Sequence, residues 1–390
     1  IKGSGFVASV GIVCEYNPFH NGHLYHLNSI RKLYPNDTIV LVLSGNFTQR
    51  GDFSIIDKWT KVKIAKEMGI DLIVELPFVF ATQSADFFAY GAISLLEALK
   101  VSKIVFGSEN DNLTDLEAIA KCQVQNEDFD KLVKIYSKFG LNYPTAVSNA
   151  LYDLTGKRID TPNDLLGISY IKTILKNNYN IKPICIKRTT DYHDDVLNNI
   201  SSATAIRKAL ENGLDVRKAV PEMVIKYLDY DNLHFKEKYF SLLKYRILTD
   251  EDLSSYQGVD EGIDKKLKKA VVCSTSYDEL IDSVKSKRYT YNRINRMLLH
   301  ILVGFTKEMS KSMKEIDYIR ILGFNDKGRS YLNKVKKEVN LPILSRFKRN
   351  FSPILDFELK TTSIYGLINN DRNLILEEYN NHLGGENNEK

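Results

Sequence analysis

The 390-residue chain is poor in the residues that usually signal special scaffolds: 4 Cys, 9 Pro and 1 Trp. Cys14, Cys122, Cys185 and Cys273 are far apart, and no Cys-x-x-Cys occurs. That excludes a zinc knuckle and a thioredoxin-like redox pair, and it argues against a disulfide framework at this size. No apolar run approaches the roughly 18 residues needed to span a bilayer. The longest candidate, Leu72–Ala81, is interrupted by Glu75 and Pro77. Ile1–Gly5 offers no basic start before a long apolar core, which predicts no secretory signal and a cytoplasmic location. Lys2-Gly3-Ser4-Gly5 reads as a non-native extension and carries no weight for the fold.

What is present is ordinary globular material, 43% hydrophobic and 26% charged. The net charge of +5 is uneven: residues 1–215 hold 23 basic and 24 acidic side chains, and 216–390 hold 31 and 25. Within 280–350 the count is 17 basic to 6 acidic, with Tyr289, Tyr291, Tyr318, Phe324 and Tyr331 interspersed. Basic side chains release counterions from a phosphate backbone, and aromatic faces stack on unpaired bases. A solvated helical surface would carry the same composition.

Strand and helix patterns alternate through the first half. Residues 9–14, Thr38–Leu43, Leu72–Leu76, Lys103–Phe106 and Ile181–Ile186 read as buried strands. Helices are expected at about Gly22–Tyr34, Ile56–Met68, Ser84–Leu99 and from Thr161-Pro162 to Leu175, with Ser201 or Ser202 capping another to Glu211. This alternation predicts a parallel, doubly wound sheet whose ligands bind beyond the strands' carboxyl ends. After Gly213 helices dominate, with short strands expected at Ile319–Gly323 and Leu341–Leu344 around a helix at Gly328–Val339. The expected organisation is an α/β domain at 6–215, a mainly helical basic domain at 216–380 and a polar tail at 381–390.

The informative stretch is Gly11-Ile-Val-Cys14-Glu15-Tyr16-Asn17-Pro18-Phe19-His20-Asn21-Gly22-His23, between the first strand and the first helix. Gly22 lets a nucleotide approach the backbone, and the helix start offers free N–H groups to phosphate. Two imidazoles three residues apart can stabilise charge developing on an α-phosphate. The plain alternative is a pair of helix-start histidines. A zinc site from His20, His23 and His26 is disfavoured, because that spacing does not put all three on one helical face and no HExxH is present; no protein-held metal is expected. Ser202, Thr204 and Arg207 in Ile200–Arg207 suit phosphate binding at a second helix start. Met309-Ser310-Lys311-Ser312 resembles a synthetase KMSKS loop, but Glu308 replaces its leading lysine and it lies outside the expected sheet.

Several stretches together resemble the bacterial tRNA(Met) cytidine acetate ligases of the His-x-Gly-His nucleotidyltransferase superfamily: Val10–Leu27, Ser44–Gly51, Ile56–Thr60, Asp71–Phe88, Phe106–Glu109, Asn163–Ile168, Ile186–Arg188, Tyr192–Asp194 and Ile200–Arg207. Arg288–Leu299 and Arg320–Arg329 are similar too. The resemblance implies an N-terminal Rossmann-like α/β nucleotidyltransferase domain followed by a mainly α-helical domain. It also implies an activity: ATP activates acetate as acetyl-adenylate, and the wobble cytidine of elongator tRNA(Met) becomes N4-acetylcytidine. Mg²⁺ would be held mainly by the triphosphate. His20, His23 and Arg207 would be catalytic, neutralising developing charge. The ATP loop would run Val13–His26, through Val13, Cys14, Glu15, Tyr16, Asn17, Pro18, Phe19, Asn21, Gly22 and His26. Gly107, Asn163, Arg188, Ser202 and Thr204 would add ATP contacts. Gly107 reads equally as a turn glycine, Asn163 as a first-turn helix residue and Arg188 as a strand-end surface charge. Ser44, Asn46, Gln49, Asp57 and Lys58 are weaker lining candidates. The tRNA would lie on Lys287, Arg288, Arg293 and Arg296, and on Arg320, Lys327 and Arg329. No protein partner is inferred. A small-molecule adenylyltransferase and a non-catalytic tRNA-binding module are the rival readings.

Overall fold

The computed structural model describes residues 8–188, 201–286 and 289–380. Strands β1 (Ser9–Cys14), β2 (Thr38–Ser44), β3 (Leu72–Leu76), β4 (Lys103–Ser108) and β5 (Lys182–Lys187) pair in parallel in the order β5-β4-β1-β2-β3. β2 and β3 are apolar nearly throughout because helices cover both faces. The register sets Cys14 beside Leu43 and Gly107 beside Ile186, so the strands' carboxyl ends form one rim. Strand order reverses between β1 and β4, the place where doubly wound sheets bind ligands.

The expected helices follow, with caps that explain their starts. Asp57 accepts from the backbone N–H groups of Trp59 and Thr60 and opens Lys58–Glu67. Ser84 opens Ala85–Ala98, and Ser202 caps Ala203–Glu211 through Ala205 N–H. Three further helices, Leu113–Gln125, Glu127–Lys138 and Tyr143–Thr155, lie between β4 and the Pro162–Asn177 helix.

The two halves do not form separate cores. β6 (Ile319–Phe324) pairs antiparallel with β3, and β7 (Ile343–Leu344) pairs with β6, so the second half extends the sheet to seven strands. A buried ion cluster crosses the same junction. Lys58 Nζ lies 2.5 Å from both Glu75 and Glu378 and 3.6 Å from Glu358. Arg320 Nη1 lies 3.2 Å from Glu75 and 2.5 Å from Glu378. The division at 215/216 therefore marks a change of composition rather than a break in packing. The remaining second-half helices include Phe240–Thr249, Ile263–Cys273, Tyr277–Val284 and Tyr291–Val303. No helix among the described residues is long and apolar enough to cross a membrane.

Candidate active site

A cleft of about 630 Å³ opens at the carboxyl ends of β1 and β4, a size suited to a small-molecule cofactor. Val13, Cys14, Glu15, Tyr16, Asn17, His20, Gly22, His23 and His26 line it from the β1–helix connection, and Gln49, Gly107, Asn163, Arg188 and Arg207 from elsewhere. A contiguous polar recess shares Glu15, His20, His23, Asn163, Arg188 and Arg207 and adds Ser202 and Thr204.

His20 is the N-cap of the Asn21–Leu33 helix. Its Nδ1 accepts from Gly22 N–H at 3.0 Å, and His23 Nδ1 accepts from His20 N–H at 3.2 Å. The two rings stack with centroids 3.8 Å apart, and Tyr16 meets His23 edge-on at 4.9 Å. A backbone N–H can only donate, so each Nδ1 is an acceptor and each ring carries its proton on Nε2. Burial, reinforced by Arg188 and Arg207, lowers the His20 pKa to about 3. Burial and His20 hold His23 well below its usual value, and burial lowers His26 to about 4. All three are neutral, and His20 and His23 are Nε2–H donors. The positive charge in the cleft belongs to the arginines.

Arg207 donates from Nη1 to the Asn17 carbonyl at 2.9 Å and from Nη2 to Thr204 at 3.3 Å. Arg188 Nη1 reaches Asn163 Oδ1 at 3.5 Å, and Asn163 Nδ2 donates to Glu109 at 2.5 Å. A methyl group at Gly107 would come 3.0 Å from Arg188 Cγ, so this glycine makes room for the arginine stem. Burial raises the pKa of Glu15, whose Oε1 accepts from Gln49 N–H at 2.6 Å. The Cys14 thiol is pushed up to about 12 by burial and stays protonated. Lys61 lies beneath this rim, its pKa lowered by burial to about 7: its Nζ donates to the carbonyls of Glu15 and Ser44 at 2.9 and 2.8 Å and to Ser54 Oγ at 2.9 Å.

Some expected contacts fall elsewhere. Phe19 is buried under Tyr16 and His23, Pro18 does not line the cleft, and Asn21 Nδ2 donates to the Lys218 carbonyl at 2.9 Å. Ser44 and Asn46 are buried below the rim, with Asn46 bonded to Thr362 and to Lys58 N–H. Asp57 is used as a helix cap, and Lys58 is consumed by the carboxylates of the ion cluster, so neither lines the cleft. Of the basic candidates, Arg320 is 1% exposed and cannot meet RNA. Lys327 and Arg329 are exposed; Lys327 bonds the Asp37 carbonyl, just before β2 and therefore at the opposite end of the sheet from the cleft, and Arg329 covers Phe324. Arg293 stacks on Tyr289 at 4.2 Å, and Arg296 reaches the Gln49 carbonyl at 3.4 Å. Lys287, Arg288 and the stretch Tyr192–Asp194 lie outside the described residues.

Sequence reasoning missed the apolar wall of Phe88, Phe106, Leu165, Leu166 and Tyr170, and also Arg50 and Asn292. Arg50 sits in the Ser44–Gly51 stretch already singled out. Asn292 comes from the second half, and no local signal points to it.

The description HIGH Nucleotidyl Transferase fits residues 7–379. A tRNA(Met) cytidine acetate ligase from Anoxybacillus flavithermus is 42% identical over 376 residues, covering 92% of this chain and 94% of that protein. The chain belongs to the tRNA(Met) cytidine acetate ligase family. A member from Clostridium novyi is 39% identical over 382 residues, covering 92% of this chain and 95% of the relative. Thermotoga maritima TmcAL without ligand superposes with a TM-score of 0.87 at 33% identity, covering 96% of this chain and 97% of the other. The same protein bound to alpha-thio ATP gives a TM-score of 0.85, with 94% and 96% covered. Family membership thus spans both halves, including the strands that the second half adds to the sheet.

Proposed function

We propose that this chain ligates acetate to the wobble cytidine of elongator tRNA(Met), using ATP and producing N4-acetylcytidine. One observation carries the reading. A nucleotide-sized cleft holding two neutral imidazole donors and three arginines lies at the switch point of a chain that matches cytidine acetate ligases along nearly its whole length.

In the first step an acetate oxygen attacks the α-phosphorus in line and pyrophosphate leaves. Arg207 and Arg188 supply fixed positive charge to the triphosphate, and His20 and His23 donate Nε2–H bonds to oxygens on which charge accumulates. Neutral donors add no cation that would have to be held in place before ATP arrives. The apolar wall of Phe88, Phe106 and Tyr170 offers a dry face for the adenine. In the second step the cytidine N4 attacks the acetyl carbonyl carbon, AMP leaves and the amine gives up one proton. The tRNA reaches the cleft from the side of Asn292, Arg293 and Arg296, the basic helix bordering it. Among the described residues no three His, Cys, Asp or Glu side chains converge to hold a metal ion. Mg²⁺ would be held mainly by the triphosphate, and no step here is assigned to it.

The test is isotope exchange between pyrophosphate and ATP. Exchange should require acetate and proceed without tRNA. Exchange that ignores acetate but responds to a nucleotide or cofactor precursor would replace this reading with that of a small-molecule adenylyltransferase.

A further inference from the structure

Residues 46–55 form a loop between the cleft and the Tyr291–Val303 helix, and the helix grips it closely. Gly51 has φ of 82°, and a Cβ there would come 2.5 Å from the backbone nitrogen of Arg296 and 2.7 Å from its Cα. Only glycine suits both the left-handed backbone and this approach. Asn295, 1% exposed, donates from Nδ2 to the Arg50 carbonyl at 2.9 Å and to Asp52 Oδ1 at 2.8 Å. Its own Oδ1 is buried with no hydrogen-bond partner among the described residues, so the two donations alone fix the amide's orientation.

On the other side of the loop the same residues reach the cleft. Asp52 Oδ2 lies 3.8 Å from Arg207 Nη2. Gln49 N–H holds Glu15, while the Gln49 carbonyl accepts from Arg296. Arg207, bonded directly to Asn17 and Thr204, is thus also paired with a carboxylate that the second-half helix holds.

We propose that Asn295 is a positioning residue for acetate activation: it fixes Asp52, and through Asp52 the guanidinium of Arg207, while lining no part of the cleft itself. This rests on reading the cleft as the acetate-activating site. The full-length variants Asp52→Ala, Asn295→Ser and their double mutant are compared in acetate-dependent pyrophosphate exchange without tRNA, with thermal melting as the check on folding. Each single variant should lower kcat at least about tenfold and leave KM for ATP within about threefold. The double mutant should be no slower than Asp52→Ala, because residues acting through one contact are non-additive. A merely structural Asn295 would lower the melting temperature and leave kcat per folded molecule intact. The proposal is overturned if the losses multiply, or if Asp52→Ala, at a half-buried side chain, stays within twofold of wild type. Absence of acetate-dependent exchange in the wild type would instead remove the functional reading beneath it.

Discussion

Replacing Lys58 by Met should destabilise the protein sharply without touching nucleotide binding. The ammonium is fully buried and sits among three carboxyl groups, those of Glu75, Glu378 and Glu358. Burial alone would lower the Lys58 pKa, but those carboxylates outweigh it and hold the ammonium charged. Arg320 is held charged in the same way, chiefly by Glu378 and Glu75 against its burial. Burial, with help from Glu75, raises Glu358 to about 8. Burial opposes ionisation of Glu378 too, but Arg320 and Lys58 prevail and bring it to about 2. At neutral pH Glu358 is therefore the protonated acid of the cluster, and Lys58 and Arg320 share the charge of Glu378. Lys58→Met leaves an uncompensated buried carboxylate, which costs about 3–5 kcal/mol. Glu358→Gln mimics the protonated acid and should cost under about 1 kcal/mol at pH 7. The pH dependence separates the two variants. Native Glu358 binds its proton more tightly than the unfolded chain, so its contribution is full below about pH 4.5 and is lost as pH rises through about 8. Glu358→Gln should remove that slope, at most about 1.4 kcal/mol per pH unit. Urea unfolding between pH 5 and 8.5 reads all three proteins. A Lys58→Met loss below about 1 kcal/mol, or a changed KM for ATP in the folded variant, would refute this account of the cluster.

Two further outcomes concern the site, and a third the buried histidines across the fold. His20 and His23 should not titrate between pH 7.5 and 5.5 in the free enzyme, read from their imidazole proton resonances; a midpoint near 6.5 for either would contradict their neutral-donor role. Arg207→Lys keeps the charge but loses the fork that reaches Asn17 and Thr204. It should slow acetate-dependent exchange by about 10²-fold at unchanged melting temperature, and exchange within threefold of wild type would argue against the assignment. Burial also lowers His26 and His300 to about 4 and His234 to about 3. Each contributes stability that is full above about pH 6.5 and lost as pH falls through its folded value, by at most about 1.4 kcal/mol per pH unit. The urea midpoint should fall steeply from pH 6.5 to 4.5, and a flat profile there would count against neutral buried imidazoles.

The parallel half of the fold was readable because its signals are local. The apolar runs near Val10, Ile39, Leu72, Lys103 and Lys182 coincide with β1 to β5 within a residue or two. Pro162 takes the first helical position and Ser202 caps its helix as their types suggest, while Thr161 gives its hydroxyl to Asp164 rather than capping. The cleft was legible for the same reason, since a strand–loop–helix unit carries most of it. What stayed hidden depends on partners far apart in sequence. Arg320 reads as an RNA contact by residue type, yet meets Glu75, 245 positions away. Lys58 reads as a site lysine, yet needs Glu358 and Glu378 to be seen as buried. β6 was expected as a strand, but nothing local says that it pairs antiparallel with β3. Asn295 looks like any polar residue on a helix until the Arg50–Asp52 loop is laid against it.

The most direct measurement is incorporation of labelled acetate into elongator tRNA(Met), with and without ATP, beside a transcript whose wobble cytidine is replaced by uridine. The account predicts ATP-dependent label in the first transcript as N4-acetylcytidine, none in the second, and loss of label with His23→Ala. Label that appears without ATP, or equally in both transcripts, would contradict it.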